Sequence, residues 1–140
     1  MTIERKYTWR SDLSVYVHSV AKAPFEWGGH DCALFSAGAV EAMTGAYITA
    51  DYRGRYSTLA GGLRLLKKKG FANHADLAAS LFEEIPVALA SVGDIAAIKV
   101  NTGGIYALGV VQGPRIYVVR PGEAGIGTVD LMAAERAFRV

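Results

Sequence analysis

The chain has 140 residues, 51% of them apolar and 20% charged, with a formal net charge of +2. This composition excludes disorder, and the length suits a single domain over 1–140. The mild charge makes nucleic acid an unexpected partner, and one Cys excludes an intrachain disulfide and cysteine-rich zinc modules.

No spacing of His and carboxylates suggests a metal site, and no cofactor is expected. No apolar run approaches the ~20 residues of a membrane span. The polar opening Met1 to Arg10 lacks the apolar stretch of a signal peptide, so synthesis in the cytoplasm is the expectation.

The first half is Ala- and Leu-rich with helical periodicity. A first helix is predicted over Arg10 to Lys22, capped by Ser11 or Asp12, with Leu13, Tyr16, Val17, Val20 and Ala21 on one face and Pro24 as its stop. A second runs from Cys32 to Thr44, with Asp31 as N-cap and Gly45 as terminator. A third covers Thr58 to Lys69, and a fourth His74 to Leu81 behind Asn73. The style then changes to Val, Ile and Gly. Asp94 to Val100, Tyr106 to Gln112 and Arg115 to Arg120 read as strands, with Gly113-Pro114 as a hairpin connection. Pro121 to Gly127 is a Gly-rich loop, Leu131 to Arg136 a brief helix, and Ala137 to Val140 a last strand. The predicted class is α+β, with N-terminal helices packed on a C-terminal antiparallel meander.

Cys32 is the informative residue. It falls in the first turn of the second helix, where free N–H groups and the helix dipole favour a thiolate and can steady an oxyanion. Gly28 and Gly29 would let a substrate backbone approach from the side before that helix. The competing reading is a small buried hydrophobe on a helix face.

The residues Trp27-Gly28-Gly29-His30-Asp31-Cys32-Ala33-Leu34-Phe35 resemble the entry to the nucleophile helix of NlpC-type papain-like cysteine peptidases. Those enzymes cut peptides of bacterial cell walls, and phages carry relatives in tail-assembly modules. Val92-Gly93-Asp94-Ile95 is similar to the Gly-Asp-Leu that opens the family's first core strand. Ala107-Leu108-Gly109-Val110-Val111 is similar to the strand that normally begins with the catalytic histidine. The whole chain, including Tyr52-Arg53-Gly54-Arg55-Tyr56 and the ending Val129 to Val140, resembles a small family encoded in phage and prophage genomes of Gram-negative bacteria. The resemblance implies a papain-like fold, Cys32 at the nucleophile position, and phage tail proteins or peptidoglycan peptides as partners. It implies manufacture in the host cytoplasm and a place in the phage tail.

The family's Asp-Cys-Ser-Gly is Asp31-Cys32-Ala33-Leu34 here, and Ala107 stands where the resemblance places the histidine. No histidine follows His74. His30 is the remaining candidate base, set against an exposed loop role; His18, flanking the apolar stripe of the first helix, reads as a surface or partly packed residue, and His74 as solvent-facing. Asp31, Trp27, Gly28 and Gly29 are candidate binding residues beside Cys32. Arg53 and Arg55 are candidates for a carboxylate or phosphate, set against a surface turn with Arg packed on Tyr. The expectation is a degenerate domain that binds without cleaving. The alternative is an active cysteine hydrolase acting on peptidoglycan peptides, and a third class is a redox or acyl-carrying thiol protein.

Overall fold

The computed structural model describes residues 3–100 and 105–140. Four helices, α1 (Trp9–Val20), α2 (Cys32–Thr44), α3 (Leu59–Lys68) and α4 (His74–Leu81), precede six strands. These are β1 (Glu83–Ile85), β2 (Ile95–Val100), β3 (Ile105–Val111), β4 (Arg115–Val118), β5 (Gly127–Asp130) and β6 (Arg136–Arg139). They form one antiparallel sheet in the order β1-β6-β2-β3-β4-β5. The class is α+β, with N-terminal helices followed by a C-terminal sheet.

Local chemistry accounts for the helix ends. Asp31 accepts from the Leu34 N–H at 2.9 Å, and Gly45 ends α2 at φ 75° with its N–H on the Glu41 carbonyl. Thr58 and Asn73 cap α3 and α4 through the N–H groups of Gly61 and Asp76. The start of α1 differs from the expectation. It begins at Trp9 behind Thr8, so Ser11 and Asp12 lie inside its first turn. The Thr8 hydroxyl donates to Asp12 at 2.6 Å, and the Asp12 carboxylate, paired with Lys6, meets the positive helix end.

The sheet corrects the simple meander. Strands β2 to β5 do run as one, but the chain then returns through a 3₁₀ turn at Leu131–Ala133, where a brief helix was expected. It inserts β6 between β1 and β2. The three residues of β1 and four of β5 are too short for a period-two signal. Both are edge strands, brief and largely polar, which discourages further pairing. Arg136 ties β6 to its surroundings. Its guanidinium forks onto both Glu84 carboxylate oxygens at 2.8 and 2.9 Å and reaches Asp76 of α4 at 3.0 Å.

Alternation along the strands makes two clusters. Ile95, Ala97, Leu108, Val110 and Phe138 pack with Phe35, Ala39, Val40 and Met43 of α2. Ala96, Val111, Ile116 and Val118 form a second cluster on the opposite face, against Ala90, Leu131 and Ala134. Helix α2 is buried on most of its circumference. Helix α1 crosses it closely at Gly38, where an added Cβ would run into the Tyr16 ring and hydroxyl. That hydroxyl donates to the Phe35 carbonyl at 2.8 Å. Gly38→Ala is therefore expected to destabilise the protein by roughly 1–3 kcal/mol, despite the better helix propensity of Ala. Chemical denaturation checks it, and a neutral or stabilising effect would refute the close crossing.

Candidate active site

The turn before α2 is organised by Asp31, which is 1% exposed. One carboxylate oxygen caps Leu34; the other accepts the Gly28 N–H at 3.0 Å and the Tyr56 hydroxyl. Burial first, and then the hydrogen bond and charge of Asp31, hold the Tyr56 phenol well above its ordinary range, so it remains a donor. Gly28 has φ 81°, and a Cβ there would strike the Tyr56 carbonyl. The close approach that glycine permits is thus made by the chain's own 52–56 loop, where a substrate backbone was expected. The Gly28 carbonyl accepts from Gly54 N–H at 2.8 Å, and the Gly29 carbonyl accepts from Arg53 at 2.7 Å. Arg53 therefore staples two loops together. Arg55 is exposed and lines an open groove with Thr58, Arg64 and Lys68.

Cys32 begins α2, as the sequence predicts, and its thiol packs against the main core. Burial pushes the thiol up to about 11. The Leu108 backbone and the N–H groups of Ala33 and Cys32 act the other way, while the Asp31 charge adds to the rise. The helix end thus works in the expected direction and is outweighed by desolvation. Of the two readings of Cys32, thiolate and small hydrophobe on a helix face, this balance favours a neutral thiol at pH 7. Alkylation by iodoacetamide should rise about tenfold per pH unit up to a midpoint near 11. A midpoint below about 8.5 would overturn this assignment. The linkage has a definite sign. Between the ordinary thiol value of 9.0 and about 11, the unfolded chain loses the proton and the folded chain keeps it. Stability from this group is intact below that window and falls as pH rises through it.

The histidines lie elsewhere than expected. His30 is half-buried rather than exposed; its ring meets Phe35 edge-on at 6.0 Å, and its Nε2 is buried without a hydrogen-bond partner. Burial lowers its pKa, with Arg53 in the same direction and Asp31 opposing. His74 was expected in solvent and is 8% exposed, at the start of α4. Burial lowers its pKa too, against the Asp31 charge and a hydrogen bond to the Tyr106 backbone. Strand β3 thus meets the thiol at Leu108 and an imidazole at Tyr106. His30 Nε2 and His74 Nδ1 have no hydrogen-bond partner, the thiol included.

The strand register also revises the role of Ala107. Tyr106, Leu108 and Val110 belong to the helix-side cluster, and Val111 to the opposite one. Ala107 pairs with Ile98 and by alternation faces away from α2. Tyr106 is the helix-facing residue at the start of β3. Trp27 packs edge-on against Phe25 at 4.7 Å and is half-buried, and a Cβ at Gly29 would meet the Glu26 carboxylate. Sequence reading missed Tyr56 as the partner of Asp31 and His74 as an interior residue. The capping pattern at Asn73 places His74 on a helix, but only packing turns it inward.

Among the described residues, no group of three or more His, Cys, Asp or Glu side chains is placed to hold a metal, and no helix is long and apolar enough to cross a membrane. A family model described as "Domain of unknown function (DUF6950)" matches residues 4–140. No curated protein matches the chain. Among solved structures, the chain is similar to the NlpC/p60 domain of the peptidoglycan hydrolase SagA, with a TM-score of 0.59 and 16% identity over 93% of this chain and 97% of that one. At that identity the likeness establishes an NlpC-like fold.

Proposed function

This chain belongs to the family described as Domain of unknown function (DUF6950), and on that premise we propose that it is a single papain-like domain of cell-wall processing that binds peptidoglycan peptides without cleaving them. The observation that carries the reading is the state of Cys32. The residue heads α2, where the sequence resemblance puts the nucleophile, but its thiol is half-buried against the core and neutral at pH 7. General acid–base help is typically worth about 100- to 10,000-fold, and a neutral thiol to which neither His30 Nε2 nor His74 Nδ1 is hydrogen-bonded forgoes that help. The similarity to a domain of a peptidoglycan hydrolase supports the choice of ligand. The resemblance to phage and prophage proteins supports a place in tail assembly, with manufacture in the host cytoplasm.

The test uses purified sacculi. The protein is expected to cosediment with them and to release no more stem peptide than Cys32→Ala does. Peptide release abolished by Cys32→Ser would replace this reading with the hydrolase one. The meeting of β3 with the thiol at Leu108 and with His74 at Tyr106 favours His74 over His30 as the base in that case. Parallel assays of His74→Ala and His30→Ala decide between them. Failure to cosediment would remove the peptide ligand, and co-purification with tail proteins tests the tail placement.

A further inference from the structure

A cavity of about 350 Å³ lies among α2, α3, α4 and the 47–56 loop. Its floor is formed by buried residues, including Leu34, Val40, Leu66, Ile95 and Leu108. Tyr47, Ala50, Asp51, Ser80 and Leu81 line it too and are exposed, which marks the mouth. Close-packed interiors hold few voids larger than a water molecule, so a cavity of this size is room for a ligand.

Two polar side chains on its wall have no protein partner. Ser36 is 1% exposed and His74 8%, and neither Ser36 Oγ nor His74 Nδ1 makes a hydrogen bond. The Nδ1 of His74 is the ring atom without a partner. A neutral imidazole offers one nitrogen as donor and the other as acceptor, and a hydroxyl pairs with either. Buried polar atoms without partners are uncommon and invite a polar ligand atom. Charge narrows the choice of ligand further. No Lys or Arg lines the cavity, and the one formal charge on its wall is Asp51 at the mouth. A carboxylate or phosphate would find no counter-charge there.

We propose that this cavity binds an uncharged, mainly apolar small molecule whose single hydroxyl reaches the Ser36–His74 wall. The ligand enters between Tyr47 and Leu81, its apolar body lies against Leu66, Ile95 and Leu108, and its hydroxyl pairs with Ser36 Oγ and His74 Nδ1. Cys32 does not line this cavity, although Ala33, Leu34, Tyr56 and Leu108 do, and the inference does not depend on the state of the thiol.

The test is methyl NMR of the full chain titrated with three probes of one shape: p-cresol, toluene and p-toluate. Saturable shifts of the Leu34, Leu66 and Leu108 methyls are expected with p-cresol, with binding at least fivefold tighter than toluene and at least tenfold tighter than p-toluate. Ser36→Ala is expected to narrow the p-cresol advantage over toluene to less than twofold. Ala50→Trp, a change at an exposed position that leaves the core untouched, is expected to weaken p-cresol at least tenfold by closing the mouth. The proposal is overturned if p-cresol leaves the methyl shifts unchanged at millimolar concentration, which would mean a cavity that holds water only. It is equally overturned if p-toluate or toluene matches p-cresol, or if Ala50→Trp has no effect.

Discussion

Asp94→Ala is expected to lower unfolding stability by about 3–5 kcal/mol, the range for a buried charge pair that loses one partner. Asp94 is 2% exposed and sits at the mouth of β2. It accepts from Arg5 at 3.0 Å, from the Ser91 N–H at 2.9 Å and from the Val140 N–H at 3.1 Å. The Arg5 guanidinium also holds the carbonyls of Val92 at 3.0 Å and Val140 at 2.8 Å. One carboxylate therefore joins the segment before α1, the turn into β2 and the end of β6. Its removal leaves a half-buried guanidinium and two backbone N–H groups without their acceptor. Urea denaturation of the variant gives the number. Asp94→Asn should fall between wild type and Asp94→Ala, because the amide keeps an acceptor oxygen and loses the charge. An Asp94→Ala loss below about 1 kcal/mol would show that water replaces the carboxylate freely, and would refute the keystone role.

The second large effect is expected at Asp31. Loss of an N-cap costs about 1 kcal/mol by itself. Here the same carboxylate also holds the Gly28 N–H and the Tyr56 hydroxyl inside the protein. Each buried donor left without a partner adds about 1–3 kcal/mol, so Asp31→Ala is expected to lose roughly 3–7 kcal/mol in all. Tyr56→Phe removes one donor together with its need for an acceptor, and is expected to lose only about 1 kcal/mol. Thermal and urea denaturation of the two variants measure the difference. Equal effects would mean that Asp31 acts through Tyr56 alone, and that the cap and the Gly28 contact contribute nothing. The alkylation profile of Cys32 supplies an independent readout. A loosened turn admits water to the sulfur, so its midpoint in Asp31→Ala should fall below that of wild type. Loss of the Asp31 charge acts in the same direction.

These two carboxylates share a logic. Each is an acid at the edge of an element that joins a nearby backbone N–H to a side-chain donor from a segment distant in sequence. In sequence terms Asp94 is an isolated acid at a strand start, and its partner Arg5 lies 89 residues away. No local pattern connects them. Asp31 is different, because its capping role follows from its position ahead of an apolar helical run. Its bond to Tyr56 depends on how the 52–56 loop folds back over Gly28, which local pattern does not encode.

The amino-acid sequence by itself determined what short-range physics controls. Caps and stops at Asp31, Gly45 and Asn73 follow from side chains that satisfy N–H groups three residues away, or from a glycine free to take positive φ. Strands β2, β3, β4 and β6 follow from apolar runs bounded by turn residues, and Cys32 at the head of α2 follows from the same arithmetic. Tertiary structure alone decided the rest. The insertion of β6 beside β2, the formation of the short β1 and β5, and the outward face of Ala107 are set by pairing across the sheet. The inward turn of His74 and the neutral state of Cys32 are set by what packs around them. A dipole at a helix end is a local property, legible from position, whereas the desolvation that overrides it is a sum over neighbours that only the folded chain brings together.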